Sequence, residues 1–226
     1  MERRTVISLL VIAATTLCGA ATPLPAQNDD GVYGPRASED TGFVRLLAAV
    51  PSLEKMETRL GSHTFGPLEF GEMSAYRPLA ADIYIVREPG TEVENGPAAE
   101  AELILRPGTY MTVAVVDGDI NVFEDRRHED PARAQLILYN LAGGEAADLL
   151  VAPDGPAVLE SVAVGSSDSR AVNAVVTDLA VHLDGEEVAT FTDVELNRGE
   201  SYALFVLDGE NGPEAFLQRA EVRIEE

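Results

Sequence analysis

The sequence predicts an all-β protein: two tandem Ig-like, antiparallel β-sandwich domains that follow an N-terminal signal peptide. Three observations carry this. Apolar residues come in short runs and not at helical spacing. Turn residues interrupt those runs about every ten positions, the spacing of sandwiches and barrels. One stretch of pattern occurs twice, at an offset of 91 (Leu196 against Leu105).

The chain opens on a segment that stands outside the fold. Met1-Glu2-Arg3-Arg4 is basic, Val6 to Ala14 is apolar around Ser8, and Thr15 to Ala26 turns to small residues. That is the order of regions in a secretory signal peptide, here residues 1–26, with cleavage after Ala21 or after Ala26. The apolar run is too short to cross ~30 Å of hydrocarbon as a helix, so the mature protein is expected not to span a membrane. The single cysteine, Cys18, lies within this segment. Thr15 and Leu17 stand where a lipoprotein signal would place Leu and a small residue. The mature chain is therefore expected to be unlipidated and free of cysteine, with stability resting on apolar burial in place of disulfides.

The formal charge is −23, from 39 acidic residues against 16 basic ones. A surface of that sign repels nucleic acid, anionic lipid and polyanionic polymers, and it keeps a protein soluble.

Residues 27–41 form an acidic, glycine-containing lead-in, and domain 1 is expected over 42–123. Gly42-Phe43-Val44-Arg45-Leu46-Leu47 reads as its opening strand, and Ala134-Gln135-Leu136-Ile137-Leu138-Tyr139 as the opening strand of domain 2, expected over 133–226. Asp117-Gly118, Asp184-Gly185 and Asp208-Gly209 each follow an apolar run and are expected at hairpin tips, where positive φ is required. Leu105-Arg106-Pro107-Gly108 to Asp117-Gly118 is echoed by Leu196-Asn197-Arg198-Gly199 to Asp208-Gly209, so the two domains read as a duplication. Tyr202 to Leu207 has the composition of a strand buried on both faces, and Ala220-Val222-Ile224 the period of a half-exposed one. Residues 124–132, with almost nothing apolar, are expected as a charged linker. Arg126 and Arg127 within it offer a docking spot for an acidic partner.

Candidates for chemistry are few. His63 sits in a turn-like stretch, His128 in the linker, and His182 in a strand where it is expected to face solvent. No Gly-x-Ser-x-Gly elbow occurs, and Gly165-Ser166-Ser167-Asp168-Ser169 reads as a loop. Asp117-Gly118-Asp119-Ile120-Asn121 opens like a calcium loop but has Val122 and His128 where Gly and Glu are needed. No cofactor or metal site and no catalytic residue is expected. Tyr33, Tyr76, Tyr84 and Tyr139 could stack on a sugar, which leaves a carbohydrate-binding or cell-surface structural module as the alternative.

Val32-Tyr33-Gly34-Pro35-Arg36-Ala37-Ser38-Glu39-Asp40-Thr41-Gly42-Phe43-Val44-Arg45-Leu46 resembles the mature N-terminus of the AlgF family of periplasmic alginate O-acetylation accessory proteins. Phe65-Gly66-Pro67-Leu68 through Tyr76, Gln135 to Leu141 and Arg198 to Val206 are similar to the family at corresponding places. Ala48 departs from the family's Asn, which Asn140 keeps in the second unit, and basic residues are largely replaced by acidic ones. The resemblance implies a non-catalytic periplasmic adaptor needed to acetylate a secreted exopolysaccharide such as alginate. Its implied partners are a periplasmic O-acetyltransferase component and a helical-repeat scaffold lipoprotein of the export complex. Its implied partner-contacting residues are Tyr33, Gly34, Pro35, Phe43 and Arg45, to which the linker adds Arg126 and Arg127.

Overall fold

A computed structural model describes residues 40–87, 99–153 and 155–223. The expected signal peptide and most of the lead-in, with Tyr33, Gly34 and Pro35, lie outside the described residues. Those that are described form β-strands and turns without a helix.

The first half contributes β1 (Thr41–Ala49), β2 (Met56–Leu60), β3 (His63–Leu68), β4 (Arg77–Ala80), β5 (Ile83–Arg87), β6 (Glu100–Ile104), β7 (Tyr110–Val116) and β8 (Asp119–Asp125). The second contributes β9 (Arg133–Leu141), β10 (Ala146–Val151), β11 (Ala157–Ala163), β12 (Ser166–Asn173), β13 (Val176–Leu183), β14 (Glu186–Glu195), β15 (Ser201–Gly209) and β16 (Gly212–Arg219). One sheet of the first half runs β4-β1-β7-β8, and one of the second runs β12-β9-β15-β16. The two are built alike. In each, the opening strand pairs in parallel with the penultimate one, which then forms an antiparallel hairpin with the last. The register coincides as well: Phe43 faces Tyr110 in one sheet and Gln135 faces Ser201 in the other. The expected antiparallel pairing thus gives way to parallel pairing at the centre of both sheets. A parallel connection needs a long crossover, and the residues between β1 and β7, or between β9 and β15, supply it by building the opposing layer.

Alternation along these strands creates three cores. Val44, Leu46 and Ala48 turn inward onto the hairpins β2–β3 and β5–β6, joining Met56, Phe65, Val86 and Leu103. Leu136, Leu138, Leu204 and Val206 face the second-half sheet β11-β10-β13-β14, meeting Leu149, Leu179 and Val181. The opposite faces of the two similar sheets meet each other: Leu47, Ala49, Ala114 and Phe123 from the first half pack with Ile137, Tyr139, Ala203, Phe205 and Leu207 from the second. β1, β7, β9 and β15 are therefore buried on both faces, because each has a core on either side. Burying large apolar side chains at this third core contributes about 1.5–3 kcal/mol each before entropy is counted.

Turns follow local chemistry with corrections. Asp117-Gly118 closes β7–β8, and Asp184-Gly185, with φ of 53° and 83°, closes β13–β14 as a turn with two positive φ values. Asp208-Gly209 is not a tip. The β15–β16 ladder continues through Gly209↔Gly212, and the turn falls on Glu210-Asn211. The Asp208 carboxylate instead accepts a hydrogen bond from the Gly143 amide at 3.0 Å. Ser166 to Ser169 are not a loop. They begin β12, an edge strand whose ladder to β9 overrides their weak strand propensity. Ala220 to Arg223 do not extend β16; Val222 bridges Tyr76 of the first half, with Tyr76 donating to Glu221 O and Arg223 N donating to Tyr76 O. Residues 224–226 lie outside the described part. β8 runs on through Asp125, two residues into the stretch expected as a charged linker.

Gly71, at φ +77°, lies against the ring of Phe216 across the junction, where an added Cβ would overlap the ring. Phe216 in turn stacks on Phe205 at 5.6 Å. Replacing Gly71 by Ala combines a strained backbone with overpacking, and we expect a loss of about 2–4 kcal/mol. Urea unfolding of Gly71→Ala beside the parent chain measures it.

Candidate functional site

A single cluster of polar groups lies inside the third core. Arg45 occupies the middle of β1, where alternation aims it at the opposing sheet, and it has no solvent exposure. A buried guanidinium must find compensation, and four side chains provide it. Nε donates to Thr112 Oγ1 at 2.8 Å and Nη2 donates to the Tyr139 hydroxyl at 2.7 Å. The guanidinium carbon sits 4.2 Å from the centre of the Tyr76 ring, a cation–π contact. Asp125, at the end of β8, closes the circuit by accepting from Thr112, from Tyr76 at 2.7 Å and from Tyr139. The positive charge of Arg45 and the negative charge of Asp125 are thus coupled through hydroxyls that donate one way and accept the other. Only Nη1 of Arg45 lacks a hydrogen-bond partner.

Burial pushes the Tyr139 and Tyr76 hydroxyls well above the ordinary tyrosine range, and Asp125 adds to the shift while Arg45 opposes it. For Arg45, burial works against the charge, but Tyr139, Tyr76 and Asp125 outweigh it and the guanidinium is held charged.

Beside this cluster, and sharing Tyr76 and Asp125 with it, a groove of about 470 Å³ opens between the halves. Tyr110 forms part of the wall, with its ring edge-on to Tyr76 at 5.2 Å and stacked on Phe43 at 4.6 Å. Arg126, Arg127 and His128 line another part, and Gln135 fixes that segment by donating to Arg126 O at 2.9 Å. Arg219 completes the basic set but is held by Glu200 and Glu221, each at 3.1 Å. The Tyr202 hydroxyl, with help from Asn197 and Arg219, lowers the Glu200 carboxyl below its usual range. Three arginines and a histidine gather here beside Asp125, Glu200 and Glu221, so the lining is balanced in formal charge while the chain as a whole carries −23. Guanidinium forks suit carboxylates.

The expected partner-contacting residues therefore separate. Arg126 and Arg127 are exposed and line the groove. Phe43 and Arg45 are buried: they build the wall and the polar cluster behind it and present nothing to a partner. Of the candidate sugar platforms, Tyr76 and Tyr139 are buried, and Tyr84 is half-covered with its hydroxyl donating to Ala80 O at 2.8 Å. His182 does not face solvent freely. It is half-buried in β13 between Asp148 and Glu187 of the neighbouring strands, with Nε2 enclosed. His63 and His128 lie on separate elements, and His128 Nε2 is 3.0 Å from Arg133 O. Asp117 to Asn121 form the hairpin turn and the start of β8, and no three acidic, histidine or cysteine side chains converge on a metal position among the described residues. Asp125, Thr112 and Tyr110 have no motif. Their one legible signal is Arg45 itself, since a charge within a run buried on both faces requires partners on the facing strands.

Comparison with known proteins identifies the family. The family model described as "Alginate O-acetyl transferase AlgF" matches residues 14–203, and the chain belongs to that family. The alginate biosynthesis protein AlgF of Pseudomonas aeruginosa is 26% identical over 184 residues, which cover 80% of each chain. A solved structure of the C-terminal domain of AlgF from P. aeruginosa is 25% identical and covers 39% of this chain and 98% of that one, with a TM-score of 0.36. The Bacillus anthracis TIE protein is 9% identical and covers 74% of this chain and 34% of that one, with a TM-score of 0.25.

Removing one member of the buried charge pair leaves the other uncompensated. Arg45→Met and Asp125→Asn should each cost about 3–5 kcal/mol. The double variant should lose less than the sum, by about 0.5–3 kcal/mol of coupling. Denaturant unfolding of the four proteins closes that cycle.

The raised tyrosines set an alkaline limit. Because their folded pKa values exceed the unfolded value near 10, their contribution to stability is full below that pH. It is lost as pH rises toward the folded values. Phenolate absorbance on titration should show Tyr76 and Tyr139 ionising only together with loss of the β-sheet circular dichroism signal.

Proposed function

We propose that this protein is a non-catalytic periplasmic accessory protein required for O-acetylation of a secreted exopolysaccharide, alginate or an alginate-like polymer. It links the acetyltransferase component to the scaffold lipoprotein of the export complex. The observation that carries this reading is the arginine-lined groove between the halves. It is the one described cavity where Arg126 and Arg127 meet an aromatic wall, on a chain whose overall charge favours basic partners and repels polyanions. An acidic segment of a partner protein fits there, its carboxylates received by the two guanidinium groups. Tyr33-Gly34-Pro35 of the lead-in belong to the same proposed contact set. Phe43 and Arg45 act only by positioning, Phe43 through its stacking on Tyr110 and Arg45 through the cluster that includes Asp125, the residue just before Arg126.

Family membership supports the acetylation setting, and the export signal read from residues 1–26 supports the compartment. Complementation tests both. In a strain lacking the gene, the parent chain should restore acetyl content of the polymer. Arg126→Glu/Arg127→Glu should restore it several-fold less while keeping the parent's unfolding midpoint, since both side chains are exposed. Full acetylation in the deletion strain would sink the accessory role, and full activity of the double variant would remove the groove from it.

A further inference from the structure

The hairpin β5–β6 has one face that no other described element covers. Val86 and Leu103 turn into the first-half core, whereas Ile83, Ile85 and Ile104 are 58%, 39% and 49% exposed. The register sets Ile83 opposite Ile104 and Ile85 opposite Glu102, so the three isoleucines form one patch on the outer side of the ribbon. A single exposed isoleucine is ordinary, while a contiguous group rimmed by charge marks an interaction surface. The rim is acidic. Arg87 and Glu100 neutralise each other at 2.8 Å, which leaves Glu102 beside the isoleucines and Asp82 at their root.

We propose that this isoleucine face is a docking surface for a basic amphipathic segment of a protein partner. Apolar side chains of that segment cover Ile83, Ile85 and Ile104, and its cations meet Glu102 and Asp82. Charge decides the occupant. An acidic segment would meet like charge locally and from the chain as a whole. A second copy of this chain would bring Glu102 and Asp82 against their own kind. The surface lies on β5–β6, away from the arginine groove, and calls for the opposite partner chemistry. It therefore stands or falls independently of the groove.

The full chain can be titrated with two labelled synthetic peptides, one alternating Leu with Lys and one alternating Leu with Glu, read by fluorescence anisotropy. The Leu/Lys peptide should bind saturably and protect residues 83–87 and 100–104 from hydrogen exchange, and the Leu/Glu peptide should not bind. Ile83→Ser/Ile104→Ser should weaken the Leu/Lys peptide by about tenfold. Val175→Ser/Val176→Ser, which alters two valines that are 52% and 57% exposed elsewhere, should leave it unchanged. Equal binding of both peptides, unchanged binding by the isoleucine variant, or equal loss in the valine variant overturns the proposal. So does a concentration-dependent dimer, seen by sedimentation, that Ile83→Ser/Ile104→Ser abolishes, because the face would then belong to a second copy.

Discussion

One charge enclosed between two sheets constrains much of the remaining structure. Arg45 is fully buried and needs Thr112 from its own sheet, Tyr139 from the facing sheet, Tyr76 from the segment before β4, and Asp125 from the end of β8. Those groups come from both halves of the chain. Sliding one sheet past the other would strip partners from an ion that cannot be left dry and unpaired. Apolar contacts such as Phe123 against Tyr139 supply adhesion without direction, whereas the hydroxyl relay supplies the angle and the register. The network also reaches the surface, because Tyr76 and Asp125 belong both to the cluster and to the groove wall. The shape of the groove is thereby tied to the junction of the halves.

The two similar sheets pack their outer faces against each other. Their strand order and register coincide, so Arg45 opposite Thr112 in the first sheet corresponds to Ile137 opposite Ala203 in the second. The two positions are filled differently: one sheet supplies the cation and the other supplies apolar surface with the Tyr139 hydroxyl. A similar division holds at Ala48 and Asn140, where only the second unit keeps a polar side chain, and its Nδ2 donates to Val162 O at 2.9 Å. The difference between Arg45 and Ile137 lies on the stacked outer faces, whereas Ala48 and Asn140 belong to the opposite faces.

What the residues disclose in advance, and what they do not, divides along the same line. Strand-rich architecture and the hairpins at Asp117-Gly118 and Asp184-Gly185 are local properties, and local pattern revealed them. The doubly buried character of Tyr202 to Leu207 was legible too, but not what covered the second face. A run apolar on both sides is equally consistent with a sandwich core and with a sheet between two cores. Arg45 was visible as an unusual charge in such a run. Reading it as a contact for a partner assumed that the charge was exposed, whereas the partner it requires is the other half of the same chain. Asp125 was hidden for the converse reason, since it sits in a charged stretch where one more carboxylate carries no signal. Ser166 to Ser169 misled because an edge strand borrows its order from the neighbour it pairs with.

The disposition of charge bears on how a protein of this kind can hold two partners at once. A chain with −23 overall attracts cations over most of its surface, so non-specific association with basic proteins is the default and must be given geometry to become selective. The isoleucine patch on β5–β6 adds an apolar condition to that attraction. The groove, on the proposed reading, adds a different condition, with Arg126 and Arg127 exposed and Arg219 held by Glu200 and Glu221. The Arg45 cluster joins the two halves through hydrogen bonds and is itself buried. Selectivity for each partner then resides in exposed side chains that can vary without disturbing the core, while the buried network can vary only as a set.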